Sequence, residues 1–513
     1  MWARVRSEWW RSAAVSAGCA ALAMAYFGAV LLYQPQVYDE GLIVCGAERV
    51  AHHQVPYRDF FTGYPPGQFY TVAAVFRAFD ASLLAERIWD SLWRLAIVGL
   101  ACLLAQRVAG GRAHALPLVC LAILTGALDY QLYPMISGTL FAVGALACAA
   151  AYLRGQGSRW LCLSGLAAGA GILYRHDLLL CICGAVMAAI AHRGVVERQG
   201  RWFAAPGVFL GSVIVVVAPV GLLLWSAVPL DVLKQAFVEF PLANAAARRL
   251  PFPAPSIPEL GNFYLPLAMV ALSAVRWRAT PAAQRPVLLL CILSAGLPLA
   301  LATQRLDLVH AYPAILFSLV LLSWELADST RSAELARPSW WRGAMVGTAC
   351  LVVLYYGLAP LDVWSRKVAS ILRTQPSGIA RAGAVRLRAD QAEAVLYIQR
   401  HLTPGEPLYA GTATHRSAYF NDAMFYFLAE RPQATRFDMF LAGVTNTADG
   451  QAEIARDLEA KRVEYVVLFA APVSHEPNAS SADSGITLLD DAIAREYAEV
   501  ARFGRYTIRR RLR

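Results

Sequence analysis

The chain has 513 residues, of which 58% are hydrophobic and only 16% are charged. Soluble domains carry about 25% charged residues, so this composition and a mean hydropathy of +0.45 argue against an ordinary soluble protein. The apolar residues cluster in 12–360, whereas the last 150 or so residues have the composition of a soluble domain. We therefore predict a transmembrane domain over 1–360 and a soluble α/β domain over 361–513.

The net charge of +10 does not indicate a nucleic-acid partner. The arginines lie between apolar segments, where membrane proteins collect positive charge in cytoplasmic loops. Of the ten cysteines, all but Cys45 lie within or at the ends of apolar segments, and no CxxC pair occurs. This pattern supports neither a disulfide framework nor a zinc site.

The apolar runs predict about eleven membrane spans. The first run is about 20 residues long, which favours an uncleaved span over a cleaved signal peptide. The segment 65–79 is shorter and carries Arg77, so we predict a juxtamembrane or re-entrant helix there. The predicted spans are 12–32, 88–108, 115–129, 136–153, 160–174, 177–192, 204–228, 262–275, 286–303, 310–327 and 343–360.

The arginines predict the orientation of these spans. With a cytoplasmic N-terminus, every cytoplasmic segment is basic, as the positive-inside rule requires, and counting 65–79 as a span would reverse the later ones. The first loop 33–87, the loop 229–261 and the C-terminal domain are then extracytoplasmic, and a plasma (inner) membrane is the expected location. The same outer face receives Asp39, Glu40, Arg58, Asp59, Asp129, Arg175, His176, Asp177, Arg305, Asp307 and His310.

Two outer segments have recognisable local patterns. In "VPLDVLKQAFVEFPL" the apolar residues recur at helical spacing, which predicts a helix on the outer membrane surface. The tail alternates predicted strands (406–411, 463–470 and the closing "RFGRYTIRRRLR") with predicted helices (421–429 and 448–463), which indicates a small parallel sheet. The chain has no GxGxxG or GxxxxGK motif, so nothing indicates a nucleotide site.

The first outer loop begins with a pair of carboxylates in "YDEG". Adjacent carboxylates repel each other, so Asp39 or Glu40 is expected to have a raised pKa suited to proton transfer. The structural interpretation is that Asp39 caps a helix that starts at Glu40, and both interpretations can hold together, since a cap fixes where the neighbouring carboxylate points. Further along the loop, Arg58 and Asp59 could form a local ion pair, and Tyr64 opens a rigid Tyr-Pro-Pro-Gly turn.

Two later outer turns repeat the combination of arginine, acid and histidine. "YRHD" contains Arg175, His176 and Asp177, and "QRLDLVH" contains Arg305, Asp307 and His310. Arginine and histidine can donate to a phosphate whose lipid tail lies in the bilayer; the alternative is that these residues only cap helices and pair with one another. No obligatory cofactor is predicted. A divalent metal held by Asp39, His176 and His310 stays open, although no local ligand spacing supports it.

In their order along the chain, these motifs resemble the GT-C superfamily of integral-membrane glycosyltransferases. The carrying features are a first span followed by "YDEG", the loop "VPYRDFFTGYPPGQFY", the span "AERIWDSLWRLAIVGLACLLAQRVAG" and the Gly-rich "GLAAGAGILYRHD". The nearest likeness is to bacterial relatives of protein O-mannosyltransferases and to lipid A aminoarabinose transferases. Where many relatives have His-Pro-Pro, this chain has Tyr64-Pro-Pro, and Arg175-His176 stands where many have lysine.

The resemblance implies a hexosyl- or pentosyltransferase with a polyprenyl-phosphate sugar donor and a glycan, lipid or protein acceptor. It places the catalytic acid at Asp39, with Glu40 beside it. The chemistry of the outer turns makes Arg175, His176, Arg305 and His310 the candidates for binding the donor phosphate. A transporter or lipid flippase is the main alternative, but it predicts acids deep within spans and an internal repeat. A membrane anchor that displays the tail is a third hypothesis, which does not require charged pairs at several outer turns.

Overall fold

The computed structural model describes residues 2–111, 113–129, 131–196, 203–252, 256–329, 339–417, 420–471 and 475–513. Helices make up most of the first 373 residues. Their bounds are α1 Trp2–Val30, α2 Asp39–Ala51, α3 Gly67–Phe79, α4 Leu83–Val108, α5 Ala115–Ala127, α6 Pro134–Leu153, α7 Ser158–Ile172, α8 His176–Val196, α9 Ala204–Ala227, α10 Leu230–Lys234, α11 Phe240–Ala247, α12 Ile257–Glu259, α13 Leu265–Val275, α14 Arg285–Ala302, α15 Leu308–Ser329, α16 Ser339–Val352 and α17 Ala359–Arg373.

Each of the eleven segments predicted as spans contains a helix. Among the described residues, seven helical stretches are long and apolar enough to cross a membrane, and Ala14–Val30 and Ala115–Ala127 are shorter apolar helices. The chain is therefore a multi-pass membrane protein, while the count of eleven spans and their orientation stay predictions. The seven stretches are Leu83–Val108, Pro134–Leu153, His176–Val196, Ala204–Ala227, Ala282–Ala302, Leu308–Ala327 and Gly343–Arg373.

Small residues allow close packing within the helix bundle, as the Gly-rich sequence of α7 predicts. A Cβ atom at Gly169 would lie 2.9 Å from the carbonyl oxygen of Val213 in α9, and one at Gly165 would collide with the carbonyl of Phe209. The C-terminal part of α9 is exposed, including Leu222, Leu223 and Trp225. An exposed face this apolar is suited to contact with lipid.

The C-terminal domain is a four-stranded sheet with the helices α18 Ala389–His401, α19 Met424–Ala429, α20 Ala448–Ala460 and α21 Leu488–Glu496. The strands β1 Leu408–Thr412, β2 Tyr465–Phe469, β3 Tyr497–Phe503 and β4 Tyr506–Arg511 lie in the order β1-β2-β4-β3. Only β1 and β2 are parallel, so the prediction of a parallel sheet is wrong for the end of the chain. Two residues, Gly504 and Arg505, join β3 to β4, and so short a connection permits only an antiparallel hairpin.

The C-terminal domain packs on α2, the first helix after α1. The Nη1 atom of Arg49 lies 2.9 Å from both carboxylate oxygens of Asp438, and both side chains are buried. The backbone N–H of Met424 donates to the carbonyl of Val37 at 3.0 Å. A side chain at Gly41 would collide with the backbone of Met424. The first outer segment and the C-terminal domain therefore share one packed interface.

The helical prediction for the loop 229–261 is confirmed over 230–247, a stretch that we call the cover helix. It comprises α10, a π-helical turn Gln235–Glu239 and α11, and none of its residues is fully buried. Its aromatic residues contact the first outer loop: Phe237 lies 5.1 Å from Tyr57 and Phe240 lies 5.3 Å from Phe61, between ring centroids. These contacts hold the cover helix across one end of the bundle.

Candidate active site

A cavity of about 440 Å³ lies at the end of the bundle that carries the C-terminal domain. Its walls come from connections that are far apart in sequence but meet at this end: the first loop, the turns before α6, α8 and α15, and the cover helix. Six of the predicted site residues line it, namely Tyr64, Arg175, His176, Asp177, Arg305 and His310. The structure therefore brings the three outer motifs together in one place.

Asp39 lies beside this cavity as the first residue of α2. Asp39 does not line the cavity, but Tyr64 does. The Tyr64 hydroxyl donates a hydrogen bond to Asp39 Oδ1 at 3.4 Å. The side-chain amide of Gln36 donates to its Oδ2 atom at 3.2 Å. The helix α2 begins at Asp39, and Tyr38 occupies the cap position without a side-chain hydrogen bond. The prediction that Asp39 caps a helix beginning at Glu40 is therefore wrong, because the helix begins one residue earlier.

The environment of Asp39 raises its pKa from 3.8 to about 6. Burial is the main cause, because a charged carboxylate loses its hydration there. The positive charge of Arg248 and the hydrogen bond from Tyr64 oppose the rise, while the negative charge of Asp307 adds to it. A carboxylate with a pKa near 6 is ionised at neutral pH and is still a strong enough base to accept a proton from a hydroxyl group during reaction.

Glu40 has a different environment from its neighbour. Its side chain is completely buried and forms a bidentate ion pair with Arg87 of α4, with distances of 2.8 and 3.1 Å. Its Oε2 atom also accepts the backbone N–H of Gln36 at 2.9 Å. Both oxygens of Glu40 are thus held by the protein, and Glu40 is not among the residues that line the cavity.

The motif "YRHD" supplies one cationic wall of the cavity. Arg175 forms a bidentate pair with Asp177, with distances of 2.8 and 3.0 Å. Burial tends to lower the pKa of Arg175, but the charge and hydrogen bonds of Asp177, together with Tyr133 and Tyr64, raise it above its usual value. The Nδ1 atom of His176 is buried without a hydrogen-bond partner in the described residues, and its ring lies against Phe237 at 6.2 Å.

The motif "QRLDLVH" contributes Gln304, Arg305 and His310 to the lining of the cavity. Asp307 caps α15 by accepting the backbone N–H of His310 at 3.0 Å, and its Oδ1 atom lies 2.7 Å from His310 Nδ1. Burial tends to raise the pKa of Asp307, but the bonds from His310 and the charge of Arg305 bring it below the usual value. Arg305 is paired with Asp307 at 3.2 Å and with Glu476 of the C-terminal domain at 2.6 and 2.8 Å.

Sequence reasoning missed two charged residues of this site. Arg248, at the end of the cover helix, lines the cavity, and its charge has the largest electrostatic effect on Asp39. Among the arginines that line the cavity in the described chain, it alone forms no ion pair. Its position on the predicted outer face, where basic residues are scarce, was an available signal. Glu476 gave no signal, because it lies 171 residues from Arg305.

Besides Asp39, Glu40 and Asp307, three further predicted residues do not line the cavity. Arg58 and Asp59 form an exposed bidentate pair at 2.8 and 2.9 Å, as in the local-pair alternative. Asp129 pairs with Lys367 of α17 at a separate small cavity. No group of three or more histidine, cysteine, aspartate or glutamate side chains is placed to hold a metal ion within the described residues, so Asp39, His176 and His310 do not form such a group.

Solved structures show which fold this arrangement belongs to. ArnT from Cupriavidus metallidurans, in a crystal structure bound to undecaprenyl phosphate, aligns with a TM-score of 0.60 at 17% identity, covering 96% of this chain and 97% of ArnT. The Archaeoglobus fulgidus oligosaccharyltransferase tethered to an acceptor peptide aligns at 0.54 with 12% identity, covering 96% and 72%. The mycobacterial arabinofuranosyltransferase AftD aligns at 0.53 with 13% identity, covering 96% and 41%.

These three proteins belong to the GT-C superfamily of membrane glycosyltransferases. No protein-family model matches the present sequence, and no curated protein sequence matches it. The GT-C-like fold expected from the sequence motifs, a polytopic helical bundle with a C-terminal α/β domain, is confirmed. At these identities the likeness establishes the fold; the activity has to be argued from the site.

Proposed function

We propose that the protein is a membrane glycosyltransferase that moves a sugar from a polyprenyl-phosphate donor to an acceptor hydroxyl. The observation that carries the proposal is the meeting of Arg175, Arg248 and Arg305 with the raised-pKa carboxylate of Asp39 at one cavity. Two of the structural relatives support it, because one is bound to undecaprenyl phosphate and the other carries an acceptor peptide. The proposed site is on the extracytoplasmic side of the plasma membrane.

In this proposal the arginines bind the leaving group. Guanidinium groups donate bidentately to phosphate, and Arg248 can do so without giving up an existing ion pair. His176 and His310 line the same cavity and can donate further hydrogen bonds. The exposed apolar face of α9 ends next to the cover helix, which gives the polyprenyl tail a path into the bilayer.

Asp39 is the proposed general base. Its carboxylate accepts the proton of the acceptor hydroxyl while that oxygen bonds to the anomeric carbon of the sugar. The bond from this carbon to the phosphate oxygen breaks, and its electron pair stays on the phosphate, where the arginines stabilise the new charge. The products are the glycosylated acceptor, polyprenyl phosphate and a proton, which Asp39 releases to water.

The test is mass spectrometry of lipid that copurifies with the full-length protein. We expect a polyprenyl phosphate or its monosaccharide ester with the wild type and much less with Arg248→Gln. Arg248 is the informative position because its removal leaves no acid unpaired. Arg366→Gln is the matched control, since Arg366 is exposed and pairs with Asp362 away from the cavity.

A second measurement separates the enzyme from a flippase. Proteoliposomes that contain lipid extract and acceptor-containing envelope extract should consume the polyprenyl-phosphate sugar and release polyprenyl phosphate. Movement of the intact donor between leaflets without its consumption would replace the proposal by lipid transport. Absence of any polyprenyl phosphate on the wild type would rule out the proposed donor.

A further inference from the structure

Arg305 already has a carboxylate on both of its hydrogen-bonding edges. Glu476 takes the edge formed by Nη1 and Nη2, at 2.8 and 2.6 Å, in the geometry that a phosphate would use. Asp307 takes the Nε atom at 3.2 Å. A phosphate can therefore bind bidentately to Arg305 only if one of these carboxylates leaves.

The two carboxylates are held with different strength. Asp307 belongs to the helix cap of α15 and is fixed by the backbone and the ring of His310. Glu476 lies in the segment 475–487, between β2 and α21, where the side-chain amide of Asn478 donates to it at 3.0 Å. The Asn478 amide also donates to the carbonyl of Arg248 at 3.3 Å. Asp307 cannot leave Arg305 without disturbing the cap of α15, whereas Glu476 takes no part in a helix cap, so we take Glu476 as the carboxylate that moves.

The charge balance of the site points the same way. Three arginines line the cavity in the described chain, and three acids, Asp177, Asp307 and Glu476, pair with two of them. Glu476 stays ionised at neutral pH, since the bonds from Arg305 lower its pKa to about 2. If Glu476 moves away, the cavity loses one negative charge, and the phosphate of a polyprenyl-phosphate headgroup replaces it.

We propose that Glu476 is an internal substitute for the donor phosphate, bound to Arg305 until a polyprenyl-phosphate headgroup displaces it. This inference rests on the proposed function. Displacement releases segment 475–487 from Arg305 and also loosens the link through Asn478 to the cover helix at Arg248. Donor binding is thereby coupled to the C-terminal domain, and the carboxylate keeps unrelated anions off Arg305.

The test is the affinity of the purified full-length protein for undecaprenyl phosphate in detergent. Glu476→Gln removes the competing charge, so binding should be roughly tenfold tighter if Glu476 occupies Arg305 in about nine molecules of ten. Glu476→Asp, which keeps the charge on a shorter side chain, should show a smaller gain. The control is Glu453→Gln: Glu453 forms a bidentate pair with Arg436 in the same domain and is similarly exposed, 32% against 30%.

Hydrogen exchange provides an independent readout. Adding undecaprenyl phosphate to the wild type should speed exchange in 475–487, and in Glu476→Gln exchange there should be fast before any lipid is added. Inorganic phosphate serves as the headgroup-only probe. If Glu476→Gln binds inorganic phosphate more tightly than the wild type does but binds undecaprenyl phosphate no more tightly, Arg305 is a site for a free anion, and the lipid part of the proposal is overturned.

The outcomes distinguish the two proposals. Wild-type binding of undecaprenyl phosphate with equal or weaker binding by Glu476→Gln overturns the inference and leaves the proposed function standing; Glu476 would then be a positioning residue for Arg305. If neither the wild type nor any variant binds the lipid, the proposed function fails, and the inference fails with it. Loss of binding by an unfolded variant is excluded by comparing its melting temperature with that of Glu453→Gln.

Discussion

Replacing Asp39 by asparagine should abolish sugar transfer and at the same time stabilise the protein. The pKa of Asp39 rises from 3.8 to about 6 on folding. A group whose pKa is raised contributes its full stability at low pH and loses it as the pH rises through the folded value. Above pH 7 the ionised carboxylate is therefore a cost, which asparagine does not have.

The size of this effect follows from the pKa difference. About two pH units at ~1.4 kcal/mol each give an upper limit of about 3 kcal/mol. Because Asp39 is half-buried, we expect roughly 1–2 kcal/mol after allowing for screening by water, or about 1–4 °C in melting temperature. The difference should build up as the pH rises from about 4 to about 6 and be constant above pH 7.

Thermal unfolding in detergent between about pH 4 and pH 8, together with donor consumption in proteoliposomes, checks both parts. Asp449→Asn is the control, because Asp449 is an exposed acid in the first turn of α20; it should leave turnover unchanged and lower the melting temperature slightly, since a helix N-terminus favours negative charge. Wild-type turnover by Asp39→Asn would refute the role of Asp39 as base. A variant less stable than the wild type at pH 7.5 would refute the assigned environment of the carboxylate.

Three further predictions concern the same site. Tyr64→Phe removes a hydrogen bond that lowers the pKa of Asp39, so the acid limb of the activity profile should move to higher pH by about 0.5 unit, given that such a bond is worth ~0.5–1.5 kcal/mol; an unchanged profile would contradict this bond. Arg248→Gln should raise the KM for the donor and also shift that limb upward; a fall in kcat alone would speak against phosphate binding. Glu40→Gln leaves Arg87 buried and unpaired, which typically costs about 3–5 kcal/mol, so a melting temperature close to the wild type would contradict the structural role of this pair.

The helical bundle was predictable because membrane spans are encoded locally. A long apolar segment in lipid forms a helix because its backbone groups must be hydrogen-bonded within the segment. Each of the eleven predicted spans contains a helix. The turns "YRHD" and "QRLDLVH" could be assigned to one face for a similar reason, since arginine placement sets sidedness. The structure brings residues of both turns to one cavity.

The contacts made over long sequence separations could not be predicted in this way. Arg87 is an unremarkable residue near the start of a span until Glu40 faces it across 47 positions, and Glu476 reaches Arg305 across 171. The antiparallel arrangement of β3 and β4 was not predicted either, because strand direction depends on the two-residue connection at Gly504 and Arg505 rather than on apolar alternation. Periodicity places a residue on a face but does not identify its partner.

At the start of α2, a distant partner determines where two neighbouring acids, Asp39 and Glu40, point. Successive helical residues point about 100° apart, so Asp39 and Glu40 cannot both face the cavity. The buried pair with Arg87 fixes which way Glu40 points, and the interface with the C-terminal domain, through the Tyr38 hydroxyl bonded to the carbonyl of Phe440 at 3.0 Å, fixes the residue before Asp39. With both neighbours held, the Asp39 carboxylate is directed to Tyr64 and the cavity. Under the proposed function, Glu40 is a positioning residue that orients the proposed base.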